Sequence, residues 1–142
     1  MDVSRSRSYP GCFASLAAIN EFVTDAALAA QFDSRAVHAV QLAVDEACSN
    51  IIEHAYGGEG LQPIDCSYHI TDRSLTITFH DHGRSFDPRC VAVPDRSSSL
   101  QDRSTGGLGL FFIRQLMDEV HFQFDCDAGN TLTLVKYRER SS

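Results

Sequence analysis

Apolar residues recur at two different spacings along the chain, and the change from one to the other divides it into elements. Leu16, Ile19, Phe22, Val23 and Ala26 return every three or four positions, which predicts a helix from Leu16 to about Gln31. Val37, Val40, Val44, Ala47 and Ile51 repeat that spacing in a second helix. Asp33 or Ser34 can cap its start, because a short side-chain oxygen accepts from first-turn amides. Its end is expected at Tyr56, before Gly57-Gly58, where the chain can turn left-handed. The spacing then drops to two. Ile64, Cys66, Tyr68 and Ile70 alternate with polar residues, as do Leu75, Ile77 and Phe79, and Thr71-Asp72-Arg73-Ser74 suits a tight hairpin turn between them. One apolar and one polar face per strand describe an antiparallel sheet covered on a single side.

Residues 89–105 lose all periodicity, and a loop this long inside a compact domain reads as a lid or a disordered segment. A helix is expected over residues 108–118. Val120, Phe122 and Phe124 then alternate, Asp127-Ala128-Gly129-Asn130 reads as a turn, and Thr131 to Tyr137 as a last strand. Residues 1–12 read as a tail or a short edge strand. No repeat or linker interrupts this order, so the expectation is one domain over 1–142 with its core at about 13–138. Its class is α+β: a two-layer α/β sandwich, a mainly antiparallel sheet covered on one face by helices.

Composition changes this picture little. The formal net charge of -7 argues against non-specific nucleic-acid binding, although eleven of the twelve basic residues are arginine and suit a local phosphate or acidic-partner site. No apolar run reaches membrane-spanning length, and the polar, arginine-containing start does not read as a secretory signal. The five cysteines, Cys12, Cys48, Cys66, Cys90 and Cys126, form no CxxC pair. They read as free thiols in a reducing compartment, hence a cytoplasmic location.

Three clusters carry candidate chemistry. On the second helix Glu46, Asn50 and His54 fall four residues apart, on a stripe that drifts towards the core face at about 100° per residue. Asn50 offers a neutral oxygen suited to Mg²⁺, and Glu46, one turn away, is placed to act as a general base. On this helix alone a solvated flank accounts for the same residues more economically, and His54 alone reads as a hydrogen-bonded histidine. The strand ending at His80 delivers Asp81, followed by Gly83. A carboxylate there can accept from an exocyclic amine such as adenine's, while glycine lets a base approach the backbone. The same pattern also makes ordinary turns, but Phe86-Asp87-Pro88 extends it into a defined loop. Last, Ser104-Thr105-Gly106-Gly107-Leu108-Gly109-Leu110 opens onto a helix, where converging amides and the helix dipole suit an anion. It is neither a dinucleotide fingerprint nor a P-loop, and taken singly it could be a plain linker.

Together the three clusters resemble the Bergerat-type ATP-binding fold of gyrase, the heat-shock chaperone, histidine kinases and mismatch-repair ATPases. The stretch from Leu42 to Tyr56 looks like the N-box of the anti-sigma-factor serine/threonine kinases, the RsbW-like family. Asp81 to Pro88 is similar to that family's second box, and Gly107 to Leu110 with Arg114 to Val120 to its third. The resemblance spans about residues 13–138. It implies Mg-ATP held between helices and a lid, with Glu46 as general base and Asn50 as Mg²⁺ ligand. It also implies Asp81 as adenine contact and Gly83 shaping the base pocket beside Phe86, with His54 in the same pocket. Thr105, Gly106, Gly107, Leu108, Gly109 and Leu110 would meet the phosphates. Thr131 would assist at the adenine end, and Arg103 and Ser104 would reach the phosphates from the lid.

The function so implied is an ATP-dependent protein serine/threonine kinase in a partner-switching system. It would bind a sigma factor or equivalent target and phosphorylate a STAS-domain antagonist, without contacting nucleic acid or membrane; such proteins are often homodimers. The rival expectation is a non-catalytic, nucleotide-dependent binding switch. A histidine-kinase catalytic fragment fits less well, because no dimerisation helix with an acceptor histidine precedes the first helix.

Overall fold

The computed structural model describes residues 2–60, 62–83, 111–125 and 128–138. Five antiparallel strands form one sheet in the order β1-β2-β3-β5-β4. They are β1 (Val3–Pro10), β2 (Pro63–Ile70), β3 (Ser74–Asp81), β4 (Glu119–Asp125) and β5 (Gly129–Tyr137). The helices α1 (Leu16–Ala29) and α2 (Ser34–Asn50) precede β2, and residues 111–116 are helical as well (α3).

The alternation in β2 and β3 translates directly into burial. Ile64, Cys66, Tyr68, Ile70, Leu75, Ile77 and Phe79 are buried against the helices, joined by Leu132 and Leu134 of β5. Each large side chain withdrawn from water in this way contributes about 1.5–3 kcal/mol. Ile19, Phe22, Val23 and Ala26 of α1, with Val37, Val40, Val44 and Ala47 of α2, close the core from the other side. The opposite sheet face carries Ser67, His69, Thr76, Thr78, Thr131 and Thr133 and is uncovered among the described residues. No helix among the described residues is long and apolar enough to cross a membrane.

Local signals account for the element ends. The Asp33 carboxylate accepts from the Ala36 amide at 2.8 Å and caps α2. The hairpin turn closes as Thr71 N donates to the Ser74 carbonyl at 2.9 Å, while the Thr71 hydroxyl accepts from the Arg73 and Ser74 amides. At the end of α3, Lys136 donates to the Leu116 carbonyl at 2.7 Å, placing a cation on the negative end of the helix.

Three features depart from the sequence pattern. Residues 3–10 are a full edge strand, paired from Val3↔Ile70 to Pro10↔Pro63. The sequence pattern allows a tail or a short edge strand here, and its Ser-Arg alternation gives no apolar period from which the full eight-residue length could be read. The second helix does reach Tyr56 and stop at Gly57 and Gly58 (φ 70° and 133°), but its last turn, Ile51–Ala55, is π-helical. There Tyr56 N donates to the Ile51 carbonyl at 2.9 Å, five residues back. Finally, β5 starts at Gly129 rather than Thr131. Gly129 has φ 98° and takes the chain straight from the turn into pairing.

Candidate functional site

The end of β3 is the most constrained part of the site. Asp81 falls on the inward side of the alternation set by Leu75, Ile77 and Phe79, so its carboxylate is carried into the layer between sheet and helices, 3% exposed. Asn130 lies directly opposite on β5, 2% exposed, and its side-chain amide donates to Asp81 Oδ1 at 2.9 Å. The Gly83 amide donates to the same oxygen at 2.9 Å. Burial is the main influence on this carboxyl and raises its pKa, and the bonds from Asn130 and Gly83 act against that rise.

Glycines allow the backbone to close around this carboxylate. A Cβ on Gly129 would lie 2.1 Å from the Asp81 carbonyl oxygen, and one on Gly83 would lie 2.4 Å from the carbonyl oxygen of Ala55. Gly83 is therefore required, first of all, by the helix end against which it packs. That contact seats the turn after Asp81 directly on the π-helical end of the helix that carries Glu46 and Asn50.

Glu46 and Asn50 are half-buried on the flank of α2, beside Ala43, Ala47 and Ile51 of the core face. Neither side chain has a hydrogen-bonding partner among the described residues, which leaves both able to take a ligand. His54 sits in the π-helical turn, whose wider winding takes it off the Glu46–Asn50 line, and it approaches Glu53 at 4.0 Å. The described residues contain no cluster of three or more His, Cys, Asp or Glu side chains fit for a metal. An amide oxygen with no partner does fit Mg²⁺, which keeps waters and phosphate oxygens as its other ligands.

Behind α2 a polar ring fixes its angle to α1. Asn20 donates to the Gln41 carbonyl at 3.1 Å and to Asp45 at 2.9 Å, Gln41 donates to the Thr24 hydroxyl at 3.0 Å, and Thr24 donates to Asn20 at 3.3 Å. Asp45 precedes Glu46, so this ring anchors the backbone from which the candidate base projects.

The register separates two residues that neighbour each other in sequence. Thr131 pairs with His80 on the open sheet face, its hydroxyl 2.9 Å from His80 Nδ1, while Asn130 shares the inward face with Asp81. The sequence pattern places Asn130 in a turn and points to Thr131 instead. Counting back in twos from Leu134 and Leu132 would have found Asn130. Phe86, Arg103, Ser104, Thr105, Gly106, Gly107, Leu108, Gly109 and Leu110, with the whole lid, lie outside the described residues.

Residues 11–136 match the family model described as the histidine kinase-like ATPase domain. The chain belongs to that family. Relatives of this histidine kinase-like ATPase include the serine-protein kinase RsbW of Halalkalibacterium halodurans, 36% identical over 105 residues, 71% of this chain and 62% of that protein. The serine-protein kinase RsbW of Listeria innocua is 33% identical over 112 residues, 76% of this chain and 70% of that protein. The chain thus spans less than two thirds of the first relative's length. In fold it is similar to a crystal structure of the RsbU and RsbW domains of a Mycobacterium tuberculosis protein. There the TM-score is 0.68 at 14% identity, over 96% of this chain and 33% of that one. The open antiparallel sheet with helices on one face is the architecture expected of such a histidine kinase-like ATPase.

Proposed function

We propose that the chain binds Mg-ATP and transfers its γ-phosphoryl group to a serine or threonine of a STAS-domain antagonist. In its other state it would hold a sigma factor or equivalent regulator, in the cytoplasm. One observation carries this reading: the buried Asp81 carboxylate is fixed by Asn130 and Gly83, and Gly83 packs against the end of the helix that presents Glu46 and Asn50. The similarity to serine-protein kinases of the RsbW type supports the choice of acceptor.

In this reading Asp81 accepts from the exocyclic amine of adenine. Asn130, on the same face, takes the part expected of Thr131, holding the carboxylate in place. Asn50 would hold Mg²⁺ through its amide oxygen, and the ion would supply neutralisation of the charge that builds up on the phosphates. Glu46 takes the proton of the incoming hydroxyl as its oxygen bonds to the γ-phosphorus and the bond to the β-phosphate oxygen breaks, releasing ADP. The glycines from Gly106 to Gly109, with Thr105, Leu108 and Leu110, supply amides for the phosphates. Arg103 and Ser104 are assigned to the same phosphates, and Phe86 and His54 to the pocket wall.

The test is transfer of labelled γ-phosphate from Mg-ATP to a cognate STAS protein, with the acceptor residue mapped. Phosphoserine or phosphothreonine on the STAS protein is the expected result. Nucleotide binding with no transfer would replace the kinase by a non-catalytic binding switch.

A further inference from the structure

Tyr56 follows the π-helical turn, and its ring packs at the edge of the main core beside Gly11. Gly11 makes room for it: a Cβ there would lie 2.9 Å from the Tyr56 ring carbons Cδ2 and Cε2. Gly11 is itself held, donating to the Gln62 carbonyl at 2.8 Å and accepting from Gly60 N at 3.2 Å. From this seat the Tyr56 hydroxyl donates to the Pro63 carbonyl at the start of β2 and accepts from the His82 amide at 3.0 Å. The two bonds use both sides of the hydroxyl's chemistry, which no other aromatic side chain can supply from that position. Burial raises its pKa, the bond from His82 acting against the rise, so the phenol stays protonated and able to donate.

The His82 amide belongs to the peptide unit that immediately follows Asp81. Tyr56 therefore grips the backbone between Asp81 and Gly83, the two residues whose geometry defines the carboxylate. We propose that Tyr56 is a positioning residue for the base end of the site. It holds the peptide after Asp81 so that the carboxylate meets an adenine-type edge, and it thereby sets discrimination between ATP and other nucleoside triphosphates. This rests on the nucleotide-site reading above. Tyr56 acts through Asp81 and is assigned no contact with the ligand.

Affinities for ATP, GTP and inorganic tripolyphosphate, each with Mg²⁺, test this by displacement of a fluorescent ATP analogue from the wild-type chain and from Tyr56→Phe. Absence of wild-type ATP binding would refute the nucleotide-site reading itself, and is thus distinguishable from failure of the present inference. Tyr56→Phe removes both bonds of the hydroxyl; given wild-type binding, loss of the one to the His82 amide is expected to weaken ATP about 5- to 10-fold and to reduce the preference for ATP over GTP. Tripolyphosphate, which has no base, should bind both proteins equally. Unchanged ATP affinity, or an equal fall for ATP and tripolyphosphate, would overturn the inference. Should Tyr56→Phe fail to fold, hydrogen exchange of the His82 amide in the wild type decides. Protection that deepens with ATP but not with tripolyphosphate supports it, and exchange that ATP does not slow beyond tripolyphosphate overturns it.

Discussion

The side-chain amide of Asn130 donates to Oδ1 of Asp81 at 2.9 Å, across a directly opposed strand pair in which both residues are buried. A carboxylate in such a place costs the fold stability, because its ionised form has lost water and the bonds from Asn130 and Gly83 act against that loss without cancelling it.

Replacing Asp81 by Asn separates that cost from that use. An amide oxygen still accepts from Asn130 and Gly83, so the variant should fold and melt no lower than wild type. The charge is gone, and ATP affinity should fall roughly 10- to 100-fold, the scale of a hydrogen bond to an ionised group. Calorimetric melting with equilibrium binding reads both effects.

The raised pKa of Asp81 also fixes the sign of a pH effect. The folded state holds this proton more tightly than the unfolded chain does. Its contribution to stability is therefore fully present below the unfolded pKa and is lost as pH rises through the folded value. ATP affinity should move the opposite way, declining as acid protonates Asp81. Its midpoint should lie above the ordinary carboxylate value of 3.8 and vanish in Asp81→Asn. Binding isotherms across an acid pH series measure it.

The neighbours Asn130 and Thr131 should behave oppositely. Asn130→Ala leaves a buried carboxylate short of a donor and should cost about 1–3 kcal/mol of stability along with ATP affinity. Thr131→Val removes a hydroxyl that meets His80 on the open face and should leave ATP affinity unchanged. Denaturant melts and ATP titrations of the two variants compare them.

Gly83→Ala should be damaging because its Cβ meets backbone, the Ala55 carbonyl at 2.4 Å, which cannot swing aside as a side chain can. A loss of about 1–3 kcal/mol is expected by urea unfolding, the usual cost of forcing extra volume into a packed contact.

Much of this was legible in sequence, and what was not has identifiable causes. Regular alternation in Ile64–Ile70 and Leu75–Phe79 predicted two strands, their hairpin and the covered face, and Asp33 announced the start of α2. Edge strand β1 was legible only as an alternative to a tail, because Ser4, Arg5, Ser6, Arg7 and Ser8 show no apolar alternation. The π turn at Ile51–Ala55 escaped because an apolar stripe is read at one helical period, and one widened turn barely disturbs it. Asn130 was lost to its own turn propensity, although it keeps step with Leu132 and Leu134. Tyr56 marked a helix end in sequence. Its bonds to Pro63 and His82 join segments that only the fold brings together.

Glu46 serves transfer rather than binding, and the phosphorylation rate of a cognate STAS protein by Glu46→Gln, measured beside its ATP affinity, is the decisive measurement. The expected result is wild-type ATP affinity with transfer slowed about 10²- to 10⁴-fold, the contribution typical of a positioned general base. Transfer by Glu46→Gln at the wild-type rate would contradict it.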